Sequence, residues 1–305
     1  MTKRLYALLL CCFLLMTPLL AQATGLHSAS YLADKESQQA VFTRLADAGV
    51  PEHLLAQVGT WIDHYNATMK DLLPHSDSFA DSKAGDTQRI DFAALYRAWW
   101  DANDHYDTLC RLFAFALLGN AVQAANPVPR DAWDVAPMVV DDRPDEEGEI
   151  IDEGGWLQSD MDIINEGQFV TWDEKTLERY FSVFDSVPAE GTMTKEAMIT
   201  AIQRAWADHG VSIEGGNLSL ITVWAYNASG GMLGVAHAGL LLEDEQGLLF
   251  IEKSDPLYPY QATRYPDLAA LESGLRTAIQ TTYEGFGEEA PLMAIFRNTI
   301  PLLPD

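Results

Sequence analysis

One run constrains this chain more than any other. CRLFAFALL, starting at Cys110, is apolar at almost every position. Leu112, Phe113, Ala116 and Leu117 recur at helical spacing, and the residues between them offer water almost nothing. A helix that is apolar on nearly every face should be buried inside the domain. The first residue of the run is also the one cysteine that processing is expected to leave in the chain.

The opening MTKRLYALLLCCFLLMTPLLAQA sets that expectation. Lys3 and Arg4 precede an apolar core from Leu5 to Leu20, and Ala21-Gln22-Ala23 supplies small residues before a cut. This pattern predicts a secretory signal peptide over residues 1–23, with the mature protein periplasmic or secreted. Thr17 and Pro18 interrupt the greasy segment, which is too short to span a bilayer, so no membrane span is expected after cleavage. Of three cysteines, Cys11 and Cys12 leave with the peptide, and Cys110 is left without an intrachain partner. Stability must then come from an ordinary core. Losing Lys3 and Arg4 takes the net charge from −26 to −28. Phosphate backbones and anionic surfaces repel such a chain, which excludes nucleic acid as a partner.

Residues 24–305 read as a single α+β domain. Helical periodicity covers residues 31–73, broken by the turn before Pro51, and resumes at IDFAALYRAWWDAN. Residues 124–168 read as an acidic insertion loop. Its VVDDRPDEEGEIIDEGG lacks the ligand spacing, central Gly and terminal Glu of an EF-hand, so neither a metal nor another cofactor is expected. Helices return at WDEKTLERYFSVFDSV and TKEAMITAIQRAWADHG. From residue 217 the period changes. NLSLITVWAYNA reads as a strand, GMLGVAHAGLLLEDEQGLLFIEKSD as two strands around a turn, DLAALESGLRTAIQTTY as a helix and PLMAIFRN as a last strand. DPLYPYQATRYPD reads as irregular. Helices followed by an antiparallel sheet make an α+β plan.

A lone cysteine in an apolar run is commonly a small buried hydrophobe. The position of Cys110 argues for more. With Asp107 or Thr108 as the expected N-cap, it occupies a first helical turn, where free N–H groups and the positive dipole end favour a thiolate. A thiol nucleophile needs a base. Of seven histidines, His237 follows the small residues Gly234-Val235-Ala236 on a strand, which leaves room for another element to approach. A third group must orient the ring. If the hairpin turns at Asp244–Gly247, Glu252 lies diagonal to His237 on the same face, while Lys253 points to the other. A one-residue slip in register would reverse that.

These residues carry a resemblance. A cysteine at the head of a buried helix, followed by HAGLLL…LLFIE, resembles the papain-like superfamily of bacterial cell-wall cysteine peptidases and amidases. SYLADKESQQAVFTRLADAGV, CRLFAFALL, SLITVWAY and HAGLLLEDEQGLLFIEKSDPLYPYQATRY are similar to a bacterial family of exported proteins and lipoproteins known as a domain of unknown function. The resemblance implies a papain-like α+β fold with Cys110 as nucleophile, His237 as base and Glu252 as orienting residue. Family members usually carry Asn where this chain has Leu109. The expected activity is a cysteine hydrolase, a peptidase, amidase or acyl transferase, on cell-envelope peptides or peptidoglycan stems. Tyr106, Arg111 and Asn227 are candidate helpers at the oxyanion, and Tyr258 and Tyr260 candidate substrate contacts. The alternative is an inactive envelope-binding module on the same fold, with a groove of Trp99, Trp100, Trp224, Tyr258 and Tyr260.

Overall fold

A computed structural model describes residues 28–70, 72–73, 92–103, 105, 107–133, 157–166, 169–189, 191–228, 230–254, 257–285 and 289–302. The expected signal peptide and the acidic stretch 141–153 lie outside these residues. The first half is mainly helical. A short strand β1 (Ser28–Ser30) leads to α1 (Lys35–Asp47), α2 (Glu52–Met69), α3 (Phe92–Ala102) and α4 (Cys110–Leu118). Then come β2 (Val122–Ala124), α5 (Gln158–Glu166), α6 (Glu174–Phe184), β3 (Val187–Pro188), α7 (Lys195–Asp208) and β4 (Val211–Ile213). The second half holds β5 (Leu218–Asn227), β6 (Met232–Asp244), β7 (Gly247–Lys253), β8 (Tyr260–Tyr265), α8 (Leu268–Gly285), β9 (Met293–Arg297) and β10 (Ile300–Leu302). Local chemistry sets several helix starts. Asp34, Asp173 and Thr194 accept from the backbone N–H three residues on, at 2.8, 2.9 and 3.2 Å. Each such cap is worth about 1 kcal/mol.

Among the described residues, seven strands form an antiparallel path β1-β8-β7-β6-β5-β9-β10, and β3 pairs with the far end of β6. The β6–β7 hairpin closes on the pair Asp244↔Gly247 and runs to Gly239↔Glu252. Its turn is over-determined. Gly247 takes φ 97°, and Asp244 Oδ1 accepts from Gln246 N at 2.8 Å. Arg44 of α1 grips Asp244 with two N–H donors at 2.8 and 2.7 Å. The register is the one the sequence predicts, because nothing in the turn allows a slip.

The sheet is buried on both faces. On one side Ile221, Val223, Leu241, Phe250 and Ile295 pack beneath Leu271, Leu275 and Ile279 of α8. On the other, Leu240, Leu242, Leu249, Ile251 and Phe296 join the main core with the remaining helices. There α4 rests on β6, β7 and β5 and carries α2 on its outer side. All nine of its residues are buried, so the helix apolar on every face is enclosed between two layers. At roughly 1.5–3 kcal/mol per buried large side chain, Leu112, Phe113, Phe115, Leu117 and Leu118 make α4 a principal contributor to the core.

Two sequence expectations need correction. Tyr260–Tyr265, read as irregular, is strand β8, which lies inside the sheet between β1 and β7. The region 124–168, read as a loop, contains α5, whose Asp160 and Ile163 are buried. No helix among the described residues is long and apolar enough to cross a membrane.

Candidate active site

The site begins with an irregularity in β6. The β5–β6 ladder runs in step from Leu218↔Leu242 to Val223↔His237, then shifts so that Trp224 faces Val235. Ala236 is the extra residue of a β-bulge. A bulge bends its strand and re-aims the neighbouring side chains. It falls within the small-residue run Gly234-Val235-Ala236, where little bulk opposes the bend. His237 stands just past it and is fully buried.

Glu252 lies opposite Gly239, two residues along β6 from His237 and on the same face. Its Oε2 is 2.5 Å from His237 Nε2, and its Oε1 accepts from Gln261 Nε2 of β8 at 2.5 Å. Both carboxylate oxygens are thus engaged, and Glu252 is 1% exposed. Gly239 makes room: a Cβ there would sit 2.3 Å from Cζ of Phe250. The other ring nitrogen, Nδ1, is buried and has no hydrogen-bond partner. Cys110 stands close enough for its side chain and charge to act on the ring, and with Nε2 engaged by Glu252, Nδ1 is the ring nitrogen open to it.

The charge state of the ring reflects these contacts. Burial alone pushes the imidazole toward neutrality. Hydrogen bonds to Cys110 and Glu252, together with their charges, outweigh burial and raise the pKa from 6.5 to about 9. The contacts thus favour the imidazolium over the neutral ring.

Cys110 is the first residue of α4 and is 5% exposed. The expected cap is not the one found. Leu109 occupies the N-cap position, with φ −98° and ψ 164°, and no side chain caps the helix. Asp107 and Thr108 are committed elsewhere. Asp107 Oδ2 lies 2.7 Å from Lys253 Nζ, and Thr108 Oγ1 is 2.6 Å from the Tyr260 hydroxyl. The first-turn N–H groups of α4 are left for other acceptors.

Arg111, expected near the substrate, is buried and braces the bulge. Its Nη1 donates to the Val235 carbonyl at 2.8 Å, and its Nε to Asp160 Oδ2 at 2.6 Å. Burial opposes its charge, but Asp160 and then Cys110 outweigh burial and hold it as a guanidinium. Asn227 accepts from Gly230 N at 3.1 Å in the β5–β6 turn. It is four residues from Val223, the partner of His237, or roughly 13 Å along the strand. Tyr258 and Tyr260 are buried, at 4% and 0% exposure; the Tyr260 hydroxyl meets Thr108 in the segment before Cys110, and the Tyr258 carbonyl accepts from Lys253. Trp99 and Trp224 are likewise core residues, at 0% and 1%. Tyr106 lies outside the described residues. Among the described residues, no three His, Cys, Asp or Glu side chains gather as a metal site.

A family model matches residues 28–298, which takes in Cys110, the bulge, His237 and Glu252. The chain belongs to the family described as Domain of unknown function (DUF4300). No curated protein and no solved structure matches it. For this DUF4300 chain the chemistry must therefore be argued from the site itself. Sequence reasoning missed Asp160, and missed the pairing of Asp107 with Lys253, which fix the residues around the sulfur. Asp107 and Lys253 stand beside motif residues, but nothing local marks them as a pair.

Proposed function

We propose that this protein is an exported cysteine hydrolase, a peptidase, amidase or acyl transferase, acting on cell-envelope peptides. One observation carries the reading: a single buried imidazole is held by Glu252 at 2.5 Å through Nε2, its Nδ1 is left without a hydrogen-bond partner, and Cys110 is near enough to raise its pKa. A nucleophile, a base and an orienting group in that relation form a catalytic triad. The chain order of Cys, His and acid, with the cysteine heading a buried helix, supports a papain-like arrangement. The N-terminal segment supports export.

In this reading the proton of Cys110 already rests on His237 as a thiolate–imidazolium pair, and the thiolate attacks an amide or ester carbonyl. The oxyanion forms beside the first turn of α4. Its free N–H groups supply donors, each worth about 3 kcal/mol in the transition state. His237 then protonates the departing amine or alcohol, leaving a thioester on Cys110. Water attacks that thioester and gives its proton back to His237. The acid departs and the thiolate–imidazolium pair is restored. An amine in place of water makes the same sequence an acyl transfer. Glu252 keeps Nδ1 aimed at the sulfur throughout and stabilises the imidazolium.

The reading is tested by mass spectrometry of the mature protein mixed with N-acyl peptide esters and peptidoglycan stem peptides. A thioester adduct on Cys110, lost in Cys110→Ala and in His237→Ala, is expected. If wild type forms no adduct and releases no product across both substrate sets, the binding module is the better account.

A further inference from the structure

Lys253 directly follows Glu252 in β7 and points to the opposite face of the sheet. It is fully buried. Its Nζ lies 2.7 Å from Asp107 Oδ2 and donates to the Tyr258 carbonyl at 2.6 Å. It also stands 3.7 Å from the centre of the Tyr65 ring and 4.3 Å from that of Tyr260. Asp107 is equally buried, and its Oδ1 accepts from the Tyr260 hydroxyl at 3.2 Å. That hydroxyl also meets Thr108 Oγ1 at 2.6 Å. The cluster thus joins β7 and β8 to the two residues that precede Leu109 and Cys110.

A buried ion pair is a poor device for stability alone, because apolar side chains of similar volume often serve as well or better. What such a pair does well is fix one relative placement of two segments. Here the segments are the two that matter most. Asp107 is three residues before the sulfur, and Lys253 is one residue after the carboxylate that orients the imidazole. The start of α4 has no side-chain cap to hold it, so the placement of Cys110 is set from outside the helix.

We infer that Asp107 and Lys253, linked through Tyr260 and Thr108, are positioning residues that set the approach of the Cys110 sulfur to His237. The inference rests on the reading of Cys110 as a nucleophile. They touch neither substrate nor reacting atoms; they act through the backbone on either side of the site. Aromatic rings on the ammonium keep it desolvated and directed at Asp107.

The test uses the mature full chain and follows iodoacetamide labelling of Cys110 across pH, with thermal unfolding in parallel. Wild type against His237→Ala comes first and decides only whether an activated thiol exists; without a rate difference there, the nucleophile reading itself fails. Given that difference, Asp107→Asn/Lys253→Met removes both charges and leaves neither ion buried alone. The double variant is expected to fold and to lose at least tenfold of the His237-dependent rate near neutral pH, with its pH profile moved toward that of His237→Ala. A folded double variant that keeps the wild-type rate within twofold, with an unmoved profile, overturns the inference. Tyr260→Phe keeps the ion pair and the ring but removes the hydroxyl between Asp107 and Thr108. It covers the case in which the double variant does not fold. A loss of threefold or more with the same change of profile is expected there, and an unchanged profile overturns the inference.

Discussion

Glu252→Gln is the sharpest perturbation of the ring. The change keeps the shape of the side chain and its capacity to hydrogen-bond His237, but removes the charge. In wild type the imidazole titrates at about 9 against an ordinary 6.5, despite burial that works the other way. That difference is worth about 3 kcal/mol at roughly 1.4 kcal/mol per pH unit. Cys110 and Glu252 supply it between them. Losing a carboxylate in contact with the ring moves such a titration by roughly 1–3 pH units. The midpoint for His237, read from the pH dependence of its side-chain NMR signals, is therefore expected to fall by at least about one unit in Glu252→Gln. The sign for stability follows from the raised value. The contribution of His237 is fully present below about pH 6.5 and is lost as pH rises through about 9. Urea unfolding at pH 6 and pH 9.5 should show a smaller difference from this group in the variant than in wild type. An unmoved midpoint in Glu252→Gln, or a wild-type midpoint at or below 6.5, refutes the electrostatic reasoning.

Other substitutions test the supports of the site. Arg111→Met leaves Asp160 charged and buried without its guanidinium, at a cost of about 3–5 kcal/mol. Urea unfolding measures the loss, and Arg111→Met/Asp160→Leu should recover much of it. Gly239→Ala places a methyl 2.3 Å from Phe250 Cζ and 3.0 Å from the Ile251 carbonyl, in a core with no slack. It should cost about 1–3 kcal/mol in the same assay, and an unchanged midpoint would show that Phe250 can yield.

The sequence made much of this arrangement readable, and the reasons are specific. The register that brings Glu252 to His237 follows from a two-residue loop at Glu245-Gln246, and parity does the rest. The enclosure of α4 follows from side chains that leave no wet face. What escaped was set by distant partners. Asp107 and Thr108 are good capping residues by type, yet a buried lysine and a tyrosine hydroxyl from β7 and β8 claim their oxygens. The bulge at Ala236 has only a run of small residues to announce it. Strand β8 was obscured by Pro256 and Pro259, which mark turns, although Tyr260, Ala262 and the residues between them alternate as a strand should.

The central claim is that the imidazole of His237 activates the sulfur of Cys110. The most direct measurement is the rate of iodoacetamide alkylation of Cys110 from pH 5 to pH 10, in the mature protein and in His237→Ala. The account predicts rapid labelling of wild type below neutral pH, at least tenfold faster than the variant there, with the two rates converging at high pH. Equal rates and superimposable profiles would contradict it.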